Sequence, residues 1–146
     1  MSDPQLSGRA ASRPRAMAFG LGAAALGAAG WWLTGGLFAL AAGLLVVSVA
    51  LGWLVGTGVA WGAWGERAHA PDRGLRGLAV GLGLLAWLVG SFAVYVFELA
   101  FLPQSHLPLL TKMAQLPFLD FTLQQFMPYG PFELILIALF AWRAAR

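Results

Sequence analysis

Positions 16–64 carry no charged residue, and at about 1.5 Å per residue that run is more than twice the length needed to cross a hydrocarbon layer of about 30 Å. The run must therefore turn back on itself. Its natural break is Trp31-Trp32-Leu33-Thr34-Gly35-Gly36, where paired glycines loosen the helix and two tryptophans can sit at headgroup depth. This predicts a first membrane helix over about 16–33 and a second over about 37–64. The segment 65–76 concentrates charge and holds Pro71, so it reads as a loop in water. A third helix follows over about 77–102, with Glu98 as its one charged residue, and stops at Pro103.

Between 103 and 120 the pattern becomes amphipathic, interrupted by Pro103, Pro108 and Pro117 and kept near water by Lys112 and Asp120. Leu110, Met113 and Ala114 share one face of a short helix there, as in a segment lying along a membrane surface. The chain turns apolar again over about 121–142, broken at Pro128-Tyr129-Gly130-Pro131 and closed by Arg143 and Arg146. The fourth crossing is expected to be kinked, or else to start at Pro131 and be short. The predicted fold is thus an all-α polytopic membrane protein of four transmembrane helices, with an outer amphipathic segment between the third and fourth.

Composition strengthens this picture. Of 146 residues 60% are hydrophobic and 10% charged, against about 25% charged in soluble domains. Net charge is +3, but no basic face is interleaved with base-stacking aromatics, so no nucleic-acid partner is expected. The absence of cysteine excludes disulfides, thiolate metal sites and iron–sulfur clusters.

The distribution of bases gives an orientation. Arg9, Arg13, Arg15, Arg67, Arg73, Arg76, Arg143 and Arg146 all fall on one side of a four-helix topology, leaving Lys112 on the other. The arginine side is expected to be cytoplasmic, as in a bacterial-type inner membrane, with both termini there. Residues 1–15 are expected to form a flexible cytoplasmic tail, and the apolar stretch after them outruns the roughly 7–15 residues of a signal peptide's apolar core, so it reads as a retained helix. Trp61, Trp64 and Trp142 would mark the inner interface; Trp31, Trp32, Phe97 and Phe101 would mark the outer one.

Chemistry-bearing motifs are sparse. Glu98 and Glu133 are the candidate intramembrane polar site, because ionisable residues in a membrane are costly and tend to face a bundle interior, a cavity or a partner charge. Glu133 lies ten residues before Arg143, about 15 Å along a helix and close to mid-bilayer. The plainer role for Glu133 is at a helix start after Pro131, where an acid satisfies free backbone N–H groups. Glu98 lies nearer the outer end of its helix, where the interface hydrates it. Gly52 and Gly56, Gly58 and Gly62, and Gly77 and Gly81 have the four-residue spacing of helix-packing faces, serving either this bundle or a partner subunit.

Other signals are weaker. Leu51-Gly52-Trp53-Leu54-Val55-Gly56-Thr57 resembles Leu85-Ala86-Trp87-Leu88-Val89-Gly90-Ser91, as an inverted repeat would, though a chain so rich in these residues produces such matches by chance. His69 and His106 fall in loops on opposite sides and cannot share a metal or haem; neither metal nor other cofactor is expected. Gln124, Gln125, Phe118, Phe121, Phe126, Tyr129 and Phe132 could line a quinone or lipid groove, but such aromatics more often pack against helices. Ser48, Ser91 and Ser105 have no histidine and acid arranged around them, and Gly20-Leu21-Gly22 lies within a membrane helix rather than a phosphate loop.

Two functional expectations lead, neither of them enzymatic, ahead of a third, an intramembrane enzyme acting on lipid or quinone, that rests on the aromatic C-terminal third alone. One is a small accessory or assembly subunit of a larger membrane complex, whose partners are lipid and other subunits or further copies of itself. The alternative is a small homo-oligomeric transporter or channel that uses Glu133, and Glu98 with it, for proton or cation coupling.

Overall fold

The computed structural model describes residues 11–38, 40–65, 72–101, 106–126 and 129–146. Six α-helices run through them and no strand occurs among these residues: α1 Arg13–Trp32, α2 Ala41–Trp64, α3 Arg73–Phe101, α4 Leu109–Gln115, α5 Phe118–Phe126 and α6 Gly130–Ala144. Three helical stretches are long and apolar enough to cross a membrane: Arg13–Leu37, Gly43–Trp64 and Arg73–Phe101.

Local chemistry explains where these helices begin and end. Pro14 opens α1, since a proline in the first turn withholds an N–H that would have no partner there. At the expected Trp31–Gly36 break the helix does not simply stop. It loosens into a π-helical turn, Leu33–Leu37, over the paired glycines, before α2 starts at Ala41. Gly65 ends α2 with a positive φ of 70°, a backbone conformation that costs a side-chain-bearing residue about 1–2 kcal/mol. The third helix starts at Arg73, earlier than the expected 77, because Asp72 caps it: its Oδ1 accepts the Gly74 N–H at 2.7 Å. Arg73 and Arg76 therefore ride on the first turns of α3 rather than in a loop.

Contacts at the glycines give the packing. A Cβ on Gly52 would lie 2.5 Å from the Ile137 carbonyl oxygen, and one on Gly56 2.6 Å from that of Ala141, so α2 and α6 run parallel with their backbones touching. A Cβ on Gly58 would lie 2.9 Å from the Ala23 Cβ, and one on Gly62 would collide with the Arg15 carbonyl, so α1 packs antiparallel on another face of α2. Such approaches supply the van der Waals contact that lipid, as apolar as the side chains, gives no other reason to form. Helix α3 closes the bundle through Gly83 against Ile137 and Gly90 against Trp31. Leu51, Val55, Val59, Ala79, Ile137 and Ala141 form the fully buried centre.

This arrangement of α1, α2, α3 and α6 alternates in direction and gathers Arg13, Arg15, Arg73, Arg76, Arg143 and Arg146 at one end. There the Ser12 N–H donates to the Ala63 carbonyl at 3.2 Å, and the Arg76 guanidinium lies 5.4 Å from the centre of the Trp142 ring. At the opposite end, Lys112 donates from Nζ to the Leu99 carbonyl at 3.0 Å, and the Tyr95 hydroxyl donates to that of Leu116 at 2.7 Å, tying α4 and the turn after it to α3. Of the predicted amphipathic face, Met113 packs on the core whereas Leu110 and Ala114 are exposed. The last apolar stretch is divided into α5 and α6, and α6, at 15 residues, extends only about 22 Å.

Arg9, Arg67, His69, Pro71, Pro103, Ser105, Pro128 and most of the expected N-terminal tail lie outside the described residues. Likeness between 51–57 and 85–91 does not extend to environment: Leu51 is buried and Leu85 exposed, while Trp53 faces outward and Trp87 inward.

Gly52→Ala and Gly56→Ala each force α6 away from α2 and are expected to destabilise the bundle by about 1–3 kcal/mol, the usual cost of overpacking. Gly77→Ala and Gly81→Ala meet open space and should be neutral or stabilise by up to about 1 kcal/mol. Thermal melts in detergent micelles separate the two sets; equal losses from both would refute the assigned packing.

Candidate functional site

Glu133 enters its position through the start of α6. Pro131 stands in the first turn, and the Glu133 N–H donates to the Tyr129 carbonyl at 3.0 Å, so the acid occupies the first turn, where the helix dipole favours it. Its side chain points into the bundle and is 7% exposed. There the indole Nε1–H of Trp87 donates to Oε2 at 3.3 Å. Trp87 is the midpoint of α3, with fourteen residues on either side, so the acid is held at half the depth of the bundle's longest helix.

Trp87 is in turn positioned by Trp31, whose ring meets it edge to face at 6.3 Å and 69°. Trp31 is 2% exposed and lies against Gly90, where a Cβ would come within 2.8 Å of it. It is a core residue, not the headgroup anchor expected from sequence, while its neighbour Trp32 stacks edge-on against Phe97. Ser48 sits one turn before Gly52 on α2, at the depth of Glu133 on the parallel α6. It is fully buried, and its hydroxyl donates to the Leu44 carbonyl at 2.7 Å. All four principal helices thus contribute to a mid-depth layer in which, among the described residues, Glu133 is the only ionisable side chain. Arg76 and Arg143, the bases on α3 and α6, stand about 15–16 Å along their helices from Trp87 and Glu133.

Glu98 is half-buried on α3, three turns beyond Trp87 and so about 16 Å along the axis; the structure does not join the two acids into one site. Gly52 and Gly56 meet α6, and Gly58 and Gly62 meet α1, whereas Gly77 and Gly81 face outward with nothing within 4 Å of an added Cβ. Among the described side chains the C-terminal aromatics do not form one groove; those of Gln125 and Phe126 lie outside the described set. Phe118 and Phe121 close around the buried Tyr95 with ring centres 5.4 and 5.1 Å away, while Tyr129, Phe132 and Gln124 are exposed. His106 is exposed, and no group of three or more potential metal-ligating residues gathers among the described residues.

No family model, curated protein or solved structure matches the chain. The class is defined by the fold itself: three apolar helices of membrane-spanning length fit a helical membrane protein.

Trp87→Phe keeps the ring but removes the donor facing Glu133 and should cost about 1–3 kcal/mol, the penalty of leaving a buried polar group unmatched. In a Glu133→Leu background the same change should cost much less, and a double-mutant cycle of melting free energies measures the difference. A coupling near zero would mean that the indole and the acid do not interact.

Proposed function

We propose that this chain is a small accessory subunit of a larger membrane assembly and acts by packing rather than catalysis. The observation that carries the reading is the outer face of α3, where Gly77, Gly81, Leu84 and Leu88 form one stripe at helical spacing and all are exposed. Glycine weakens a helix by about 0.5–1 kcal/mol relative to alanine. Glycines of α2 recover that cost through backbone contact within the chain, but Gly77 and Gly81 recover it only against another helix. In this reading α5 and α6 together make the fourth crossing, α4 lies at the outer surface, and the arginine-rich end with both termini faces the cytoplasm of a cell bounded by an inner membrane.

A second reading has its own support in Glu133, a buried acid at mid-depth on a helix that starts within the bundle, as in transporters built on broken helices. In that case the chain works as a homo-oligomer and Glu133 couples proton or cation movement.

Gentle detergent extraction of the tagged chain should recover a partner polypeptide in fixed stoichiometry. Gly77→Leu with Gly81→Leu should abolish that recovery without lowering the melting temperature. If the chain is recovered only with itself, and Glu133→Gln lowers a pH- or cation-dependent flux in vesicles at least tenfold, the transport reading replaces the first. Because the natural chain has no cysteine, single cysteines at Ser12 and Ala144 should both react with an impermeant maleimide from the same face of a sealed vesicle. Reaction from opposite faces would break the topology.

A further inference from the structure

We propose that the groove between α1 and α2 is a binding site for one anionic phospholipid, with an acyl chain along the groove and the phosphate at Arg15. The groove has a volume of about 640 Å³, within the range of ligand-sized pockets. Gly22 floors it, Leu26 and Leu54 wall one end, and Phe19 and Trp61 stand at the other, their rings meeting edge to face at 6.0 Å. Its one hydroxyl, on Thr57, is turned back onto the Trp53 and Leu54 carbonyls at 2.9 and 3.0 Å, so apart from the Trp61 indole at the Arg15 end the lining is hydrocarbon and aromatic ring. Such a surface takes a hydrocarbon chain.

Depth and charge name that chain's owner. Arg15, Phe19, Gly22 and Leu26 fall on one face of α1, so the exposed Arg15 stands one turn beyond the aromatic end of the groove. The Arg15 carbonyl packs on Gly62, next to Trp61, and helical side chains lean toward the helix start, which carries the guanidinium outward to headgroup level. From Arg15 to Leu26 the helix rises about 16 Å, roughly half of a ~30 Å hydrocarbon layer. The groove therefore matches one leaflet rather than a full crossing, which fits an acyl chain better than a transmembrane helix of a partner. An arginine at the mouth selects an anionic headgroup over a zwitterionic one, at about 1 kcal/mol, or about fivefold.

Native mass spectrometry of the full chain, released from nanodiscs of equal phosphatidylglycerol and phosphatidylcholine, tests this. The wild-type chain should retain one phosphatidylglycerol, favoured several-fold over phosphatidylcholine. Arg15→Gln should reduce the preference about fivefold while lipid is still retained, whereas Gly22→Leu, whose side chain grows into open groove, should remove the retained lipid at an unchanged melting temperature. Equal retention of the two lipids by the wild-type chain overturns the proposal, as does an unaltered preference in Arg15→Gln or a protein chain, rather than lipid, displaced by Gly22→Leu. The Arg15 comparison decides alone should Gly22→Leu fold poorly.

Discussion

The close approach of two helix backbones to α2 is the constraint on which the remaining structure depends. Helices surrounded by lipid gain little from burying apolar side chains, so they associate where backbones can come near enough for dense van der Waals contact. Helix α2 does this twice. Gly52 and Gly56 admit the backbone of α6, and Gly58 and Gly62, six residues further along, admit that of α1. At 100° per residue the two faces are roughly 120° apart, so α1 and α6 flank α2 and leave α3 to close the fourth side. Its own small positions, Gly83 and Gly90, receive Ile137 and Trp31.

That geometry fixes the depth of everything else. With Gly52 on Ile137, the first turn of α6 comes level with Ser48 of α2 and Trp87 of α3, so the helix begins inside the bundle rather than at its end. A chain break at such depth is tolerated only where protein or water covers it. Beside it α5 adjoins α6, and α4 and α5 are tied to α3 by the Tyr95 and Lys112 hydrogen bonds and by the rings of Phe118 and Phe121 around Tyr95. Glu133 and Tyr95 are thus complementary ties, one below the break and one above it. Each places a polar group of the α4–α6 region against α3.

Much of this was legible in the chain itself, and the part that was not has a common cause. Long uncharged runs and the Gly35-Gly36 and Pro128–Pro131 interruptions mark helices and breaks because charge and proline are expensive within a bilayer. The caps moved boundaries by a turn, as Asp72 did for α3. Facing direction is a different matter. In a soluble helix the apolar stripe marks the interior, but here the outer face is as apolar as the inner one, so the pattern carries almost no phase information. Gly58 with Gly62 and Gly77 with Gly81 have identical spacing, yet one pair is packed against α1 and the other faces outward. Trp31 and Trp32 are adjacent and carry the same expectation from sequence, a place at the headgroups, but a 100° rotation puts the first under Gly90 and the second on Phe97. Nothing in the sequence pairs Trp87 with Glu133, because only the folded bundle brings positions 87 and 133 together.

The two outward features of the bundle obey the same rule as its interior. Where a helix carries small residues, something else comes close; inside the chain that neighbour is a backbone, as at Gly52 and Gly62. Gly22 and Gly77 lie on the outside with nothing within 4 Å of an added Cβ, and their surroundings differ. Around Gly22 the walls are uneven, with Leu26, Leu54, Phe19 and Trp61 standing above a narrow floor that a flexible chain can follow. Around Gly77 and Gly81 an added Cβ meets nothing within 4 Å, and the exposed stripe continues into Leu84 and Leu88, a pair of small positions followed by a pair of large ones of the kind that interlocks with another helix. Under the two proposals, lipid on one face and protein on the other follow from relief rather than composition, since both faces are built from the same few residue types.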